Sequence, residues 1–133
     1  MMVDTVMRRK PVKRIKASIS LQHNGGPMKI EIDAYQSPVP GLVIHKAVYP
    51  SADNSVFYTD FWAISHAATG YRILPTCWTL DKMREAERVT RIVQLRAPDM
   101  DWTITDKEEM ERELKRKGIG PIIKDAINQV KGD

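Results

Sequence analysis

The sequence predicts an α+β domain: an antiparallel β-meander of about five strands, followed by two or three α-helices packing on one face. Three observations predict it. Apolar residues recur at every second position through the first half, and clusters rich in Gly, Pro, Asn and Ser separate those runs. From about residue 79 the apolar spacing changes to that of a helix. A chain of 133 residues, 42% apolar and 29% charged, has the size and composition of one globular domain. Residues 12–133 are therefore expected to form that domain behind a flexible basic arm, residues 1–11.

The first strand follows Pro11, where Ile15, Ala17, Ile19 and Leu21 alternate with Arg14, Lys16, Ser18 and Ser20. Alternation places Arg14 and Lys16 on its solvent side. His23-Asn24-Gly25-Gly26-Pro27 reads as a turn, and Met28, Ile30, Ile32 and Ala34 resume the period, so a β-hairpin is expected. After Ser37-Pro38-Val39-Pro40-Gly41, residues 42–49 are apolar on both faces, the pattern of a central strand. Residues 56–66 form an aromatic strand, Gly70 reverses the chain in a left-handed conformation, and residues 71–74 return as the fifth strand.

Thr79 is the expected N-cap of a helix running to about Arg96, with Asp81 in its first turn and Pro98 beyond its end. Met83, Ala86, Val89, Val93 and Ala97 form its apolar stripe. Thr105 and Glu108 have capping-box spacing for a second, mostly polar helix that ends before Gly118. Pro121 suits the first position of a third helix, whose stripe is Ile123, Ala126, Ile127 and Val130. That stripe must be buried on the domain's own sheet or on another subunit. Ile123, Ile127 and Val130 are thus the expected contact with a second copy or a protein partner.

Charge is unevenly placed. Arg8, Arg9, Lys10, Lys13, Arg14 and Lys16 bring six positive charges into nine residues, whereas from residue 17 onward 15 basic side chains meet 16 acidic ones. The excess sits at the N-terminus, where it can attract phosphates or an acidic partner. The single cysteine, Cys77, has no disulfide or metal-spaced partner, which fits a reducing compartment and an inert thiol. No apolar run approaches the roughly 20 residues that cross a bilayer, so neither membrane insertion nor secretion is expected. A cytoplasmic location follows as an expectation.

Three features bear on chemistry. Aromatic side chains at Tyr35, Tyr49, Phe57, Tyr58, Phe61, Trp62 and Tyr71 offer stacking platforms for unpaired bases, unless they fill the core. Alternation puts Tyr58 and Trp62 on one face of their strand and Phe57 and Phe61 on the other. Arg84, Arg88 and Arg91 share one helical face and extend a phosphate track, unless Glu87 pairs with them locally. His66, with Ser65 or Thr69, is a candidate base and hydroxyl, but no carboxylate at a recognisable spacing orients the ring. A hairpin in which His66 and Thr69 hydrogen-bond the turn accounts for the same residues. His23 and His45 complete no metal set with it, so no metal, cofactor or catalytic residue is assigned.

The run Trp62-x-x-Ser65-His66-x-x-Thr69-Gly70, then a strand, then an Ala- and Arg-bearing helix ending near Asp101-Trp102, resembles small uncharacterised proteins of bacteriophages and prophages. The resemblance covers roughly residues 60–102, places the chain in an infected bacterial host and implies no known activity. A meander followed by a helix is also similar in architecture to the coactivator-type single-stranded-DNA-binding fold. The expected function is that of a non-enzymatic accessory protein binding nucleic acid, as single-stranded DNA, through the basic arm and an exposed face of the sheet. The expected binding residues are Arg8, Arg9, Lys10, Lys13, Arg14, Lys16, Tyr58, Trp62, Arg84, Arg88 and Arg91. The alternative is a protein-interaction or inhibitory module acting through an edge strand or the last helix.

Overall fold

The computed structural model describes residues 13–23, 26–51, 55–73 and 80–132. Arg8, Arg9, Lys10, Cys77 and Thr79 lie outside the described residues, as does the arm expected at residues 1–11.

Four strands, β1 (Arg14–His23), β2 (Gly26–Gln36), β3 (Leu42–Pro50) and β4 (Val56–His66), form one antiparallel sheet in the order β1-β2-β3-β4. Helices α1 (Met83–Arg96), α2 (Lys107–Arg116) and α3 (Ile119–Gly132) follow. The α+β class and the order of strands before helices are those the periodicities predict.

The β1–β2 hairpin has the expected register, with Ile15, Ala17, Ile19 and Leu21 opposite Ala34, Ile32, Ile30 and Met28. All of these side chains except Met28 join Val43, Val48 and Val56 in a core on the inner face of the sheet. A larger core lies on the outer face, where Leu42, Ile44 and Ile64 meet the helical stripes. Neighbours Val43 and Ile44 therefore serve opposite cores, which is why β3 is apolar on both faces. The sheet curls until β1 reaches the turn after β4, where the Ser20 N–H donates to the Gly70 carbonyl at 3.0 Å. Gly70 has φ +73°, and a Cβ there would stand 2.6 Å from the backbone oxygen of Ser18. Gly70→Ala is expected to lower unfolding free energy by about 2 kcal/mol, from left-handed strain and displacement of β1 together; urea denaturation measures it.

Among the described residues no fifth strand forms, and Leu74, the last residue of the one expected, lies outside them. Residues 71–73 add one bridge, Arg72 to Ser65, and Leu80 adds another to Trp62 on the same side of β4. Two short segments thus share that edge. The pairing of Leu80 also delays α1, which begins at Met83 rather than after Thr79. Glu85 caps it by accepting from the Asp81 and Lys82 N–H groups, both at 3.0 Å.

Asp106, not Thr105, is the N-cap of α2 and accepts from the Glu109 N–H at 2.9 Å. A carboxylate at the positive end of a helix outcompetes a hydroxyl. Met110 is the fully buried residue of this otherwise polar helix. Gly118, at φ +65°, links α2 directly to α3, which starts at Ile119; Pro121 is thus its third residue. Proline is still tolerated there, because N–H groups of a first turn have no intrahelical acceptor. The α3 stripe packs on α1 and joins the outer-face core, burying Ile123, Ala126, Ile127 and Val130 inside this chain. No helix among the described residues is long and apolar enough to cross a membrane.

Candidate functional site

Strands β2 and β3 pair only at Tyr35–Ile44 and Gln36–Val43, then diverge. Cross-strand partners share a face, so Tyr35 stands with Ile44 on the outer face, and Arg14, Lys16 and Asp33 follow by alternation along the β1–β2 register. The helices leave this part of the outer face open: Arg14, Lys16 and Asp33 are exposed. Where the strands diverge, Lys16, Glu31, Ile32, Asp33, Lys46 and Tyr58 line a cavity of about 370 Å³.

A bulge shapes the aromatic side of this surface. Lys46 pairs with Trp62 and Val48 with Tyr58, so Thr59, Asp60 and Phe61 of β4 stand against Ala47 alone. Thr59 Oγ1 closes the irregularity, donating to the Ala47 carbonyl at 3.1 Å and accepting from the Phe61 N–H at 3.2 Å. Strict alternation is lost here. Phe57, Tyr58 and Phe61 are 51%, 58% and 45% exposed, whereas Trp62 is half-buried. Three of the four rings are thus exposed, and the indole is sheltered. Trp62 is held by Tyr35, at 6.0 Å between ring centroids, and by the Lys46 ammonium 4.3 Å above it. Phe57 is braced by Tyr49 at 5.7 Å.

The cations predicted to bind are divided. Lys13, Arg14 and Lys16 adjoin the open face. Arg14 Nη2 and Lys16 Nζ grip the two oxygens of Asp33 at 2.6 and 2.5 Å. Hydrogen bonds from Lys16 and then Arg14 hold the Asp33 carboxyl below its ordinary pKa. Arg84 and Arg91 stand exposed on α1, and Arg88 is half-buried. Glu87, expected on their solvated face, is buried instead. Leu95, 79% exposed, continues the arginine row at helical spacing. Asp33 and the bulge are the features of this surface that sequence reasoning missed; an acid directly across a predicted hairpin from Lys16, and diagonal to Arg14, was the available signal for the first.

His66 and His45 are both tied into the fold by hydrogen bonds at each ring nitrogen. His66 is fully buried; its Nε2 lies 2.7 Å from the Trp102 carbonyl, which can only accept, and its Nδ1 lies 2.8 Å from Thr69 Oγ1. Thr69 Oγ1 in turn accepts from the Tyr71 N–H at 3.1 Å. Both ring nitrogens are committed to the turn, the arrangement that accounts for His66 and Thr69 without catalysis. His45 is likewise buried, its Nδ1 donating to the Lys46 carbonyl at 2.7 Å and its Nε2 accepting from Ser65 Oγ at 2.8 Å. Burial, with the Arg72 charge nearby, pushes its pKa down to about 4. Among the described residues no group of three His, Cys, Asp or Glu side chains is placed to hold a metal ion.

No family model matches the chain, and no curated protein or solved structure matches it.

Proposed function

We propose that this protein binds single-stranded nucleic acid as a non-enzymatic accessory factor. Its basic N-terminal segment contacts phosphates, and the open outer face of the sheet receives bases. The observation that carries the reading is the exposure of Phe57, Tyr58 and Phe61 in the one strand that also carries Trp62, whose ring lies under the Lys46 ammonium. Solvent-facing aromatics concentrated in one bulged strand cost solubility and gain nothing for the core. Unpaired bases stack on such rings without regard to sequence, and Lys13, Arg14, Lys16 and Lys46 supply charge around them. Arg84 and Arg91 offer further phosphate contacts along α1. The resemblance of residues 60–102 to phage proteins fits an accessory role in an infected cell.

Titration of labelled single- and double-stranded oligonucleotides tests the reading. Affinity for the single strand is expected to exceed that for the duplex, and to fall on the order of 100-fold between about 50 and about 200 mM salt if the six N-terminal cations all engage. Tyr58→Ala and Phe61→Ala are each expected to weaken binding by roughly 5-fold to 100-fold, the range of one base stack. No binding at the lower salt refutes the reading.

The same three rings favour a second reading, a protein-docking ribbon, because two of them are phenylalanines without a polar atom. A concentration-dependent mass shift in solution that Phe57→Ser and Phe61→Ser abolish, with no response to oligonucleotide, is its signature. The α3 residues Ile123, Ile127 and Val130 could take part only if that helix left its own core.

A further inference from the structure

The pair of cations that grips Asp33 deepens the nucleic-acid reading and rests on it. Arg14 and Lys16 each hold a separate oxygen of one carboxylate, at 2.6 and 2.5 Å. This is the geometry in which basic side chains hold a phosphate, since both anions present several oxygens that only accept. The clamp opens onto the cavity of about 370 Å³ that Lys16 and Asp33 share with Lys46 and Tyr58. A cavity of that volume lies in the range of small-ligand sites. Lys16 of the cation pair, Lys46 and the exposed Tyr58 ring thus line, with the carboxylates of Glu31 and Asp33, a space in which one nucleotide can place its phosphate and its base.

We infer that Asp33 is a resident competitor for phosphate: the clamp is a backbone-phosphate subsite, and a bound strand must displace the Asp33 carboxylate to enter it. Asp33 lies opposite Lys16 in the hairpin register, so the competing anion is built into the same rigid element as the cations it holds. The consequence is a binding face that is restrained in the free protein. Free monoanions fail to displace the carboxylate, and a strand, whose backbone phosphates are also singly charged, succeeds because it stacks on Tyr58 at the same time.

The test uses the full chain and a fluorescein-labelled oligothymidylate of about 20 nucleotides, longer than a typical single-strand site. Asp33→Asn is expected to bind about 5-fold to 10-fold more tightly than wild type at about 50 mM salt, with the slope of log affinity against log salt steeper by about one, because two cations are released to phosphate. Asp99→Asn, which makes the same charge change beside Lys117 at a distant ion pair, is expected to alter affinity by less than about 2-fold, as general charge does. Lys16→Gln is expected to lose more affinity in the Asp33→Asn protein than in the wild type.

If wild type binds and Asp33→Asn binds no better, or if Asp99→Asn matches it, the competitor role is overturned while the nucleic-acid reading stands. Binding by Asp33→Asn alone overturns the nucleic-acid reading of the wild-type protein and the competitor role that rests on it. Absence of binding by every variant overturns both.

Discussion

His66→Ala is expected to lower the unfolding free energy by about 3–5 kcal/mol, from the buried polar groups it orphans and the cavity it leaves. The ring ties the end of β4 to the segment before α2 through the Trp102 carbonyl, and ties the turn to itself through Thr69. Deletion strands both partners in a site without solvent. The same junction is sterically tight: Gly41 has φ +97°, and a Cβ there would come within 2.8 Å of both Trp102 Cβ and the Trp102 carbonyl oxygen. Little relaxation is available to refill the void. Thr69→Val removes one hydroxyl and is expected to cost about 1–2 kcal/mol, a fraction of the larger loss. Urea denaturation midpoints of the two variants measure both, and a His66→Ala protein within about 1 kcal/mol of wild type contradicts the account.

Acid is expected to destabilise the protein well above the range where carboxylates titrate. His45 has a folded pKa of about 4, against the ordinary value of 6.5 given for the exposed ring. A depressed histidine pKa means that the fold prefers the neutral ring, so the unfolded chain binds the extra proton. The stabilisation is complete above about pH 6.5, declines as pH falls, and is gone by about pH 4. At about 1.4 kcal/mol per unit of separation it amounts to roughly 3 kcal/mol. Asp33, Asp99, Asp101 and Glu113 all have lowered values and therefore contribute their losses below their ordinary range near pH 4. The positive charge facing His45 is Arg72, which opposes ring protonation. Unfolding free energy measured from pH 7 to pH 5 is expected to fall in wild type and to stay nearly flat in His45→Gln. Equal slopes in the two proteins refute the assignment.

The fold was legible where one period ran without interruption. Alternation in β1 and β2 places Ile19 opposite Ile30, and the stripe of α1 is the one that its sequence draws. It was illegible where long-range pairing competes with local signal. Leu80 lies at the head of a helical pattern, yet its backbone bonds to Trp62, and the helix starts later. Tyr71, Arg72 and Ile73 alternate like a strand, yet meet β4 in a single bridge, Arg72 to Ser65. The site was half legible for the same reason. Aromatic content marked β4, while the bulge opposite Ala47, which takes in the exposed Phe61, is announced by no residue type. Net charge marked Arg14 and Lys16, but only strand register reveals that Asp33 already holds them.

The outer face of the sheet is the proposed seat of binding, and a residue-by-residue NMR titration with an unlabelled single-stranded oligonucleotide locates it directly. The account predicts shifts at Tyr35, Lys46, Phe57, Tyr58, Phe61 and Trp62, with the α2–α3 side of the molecule unmoved. Shifts confined to α2 and α3, or none at saturating oligonucleotide in low salt, contradict it.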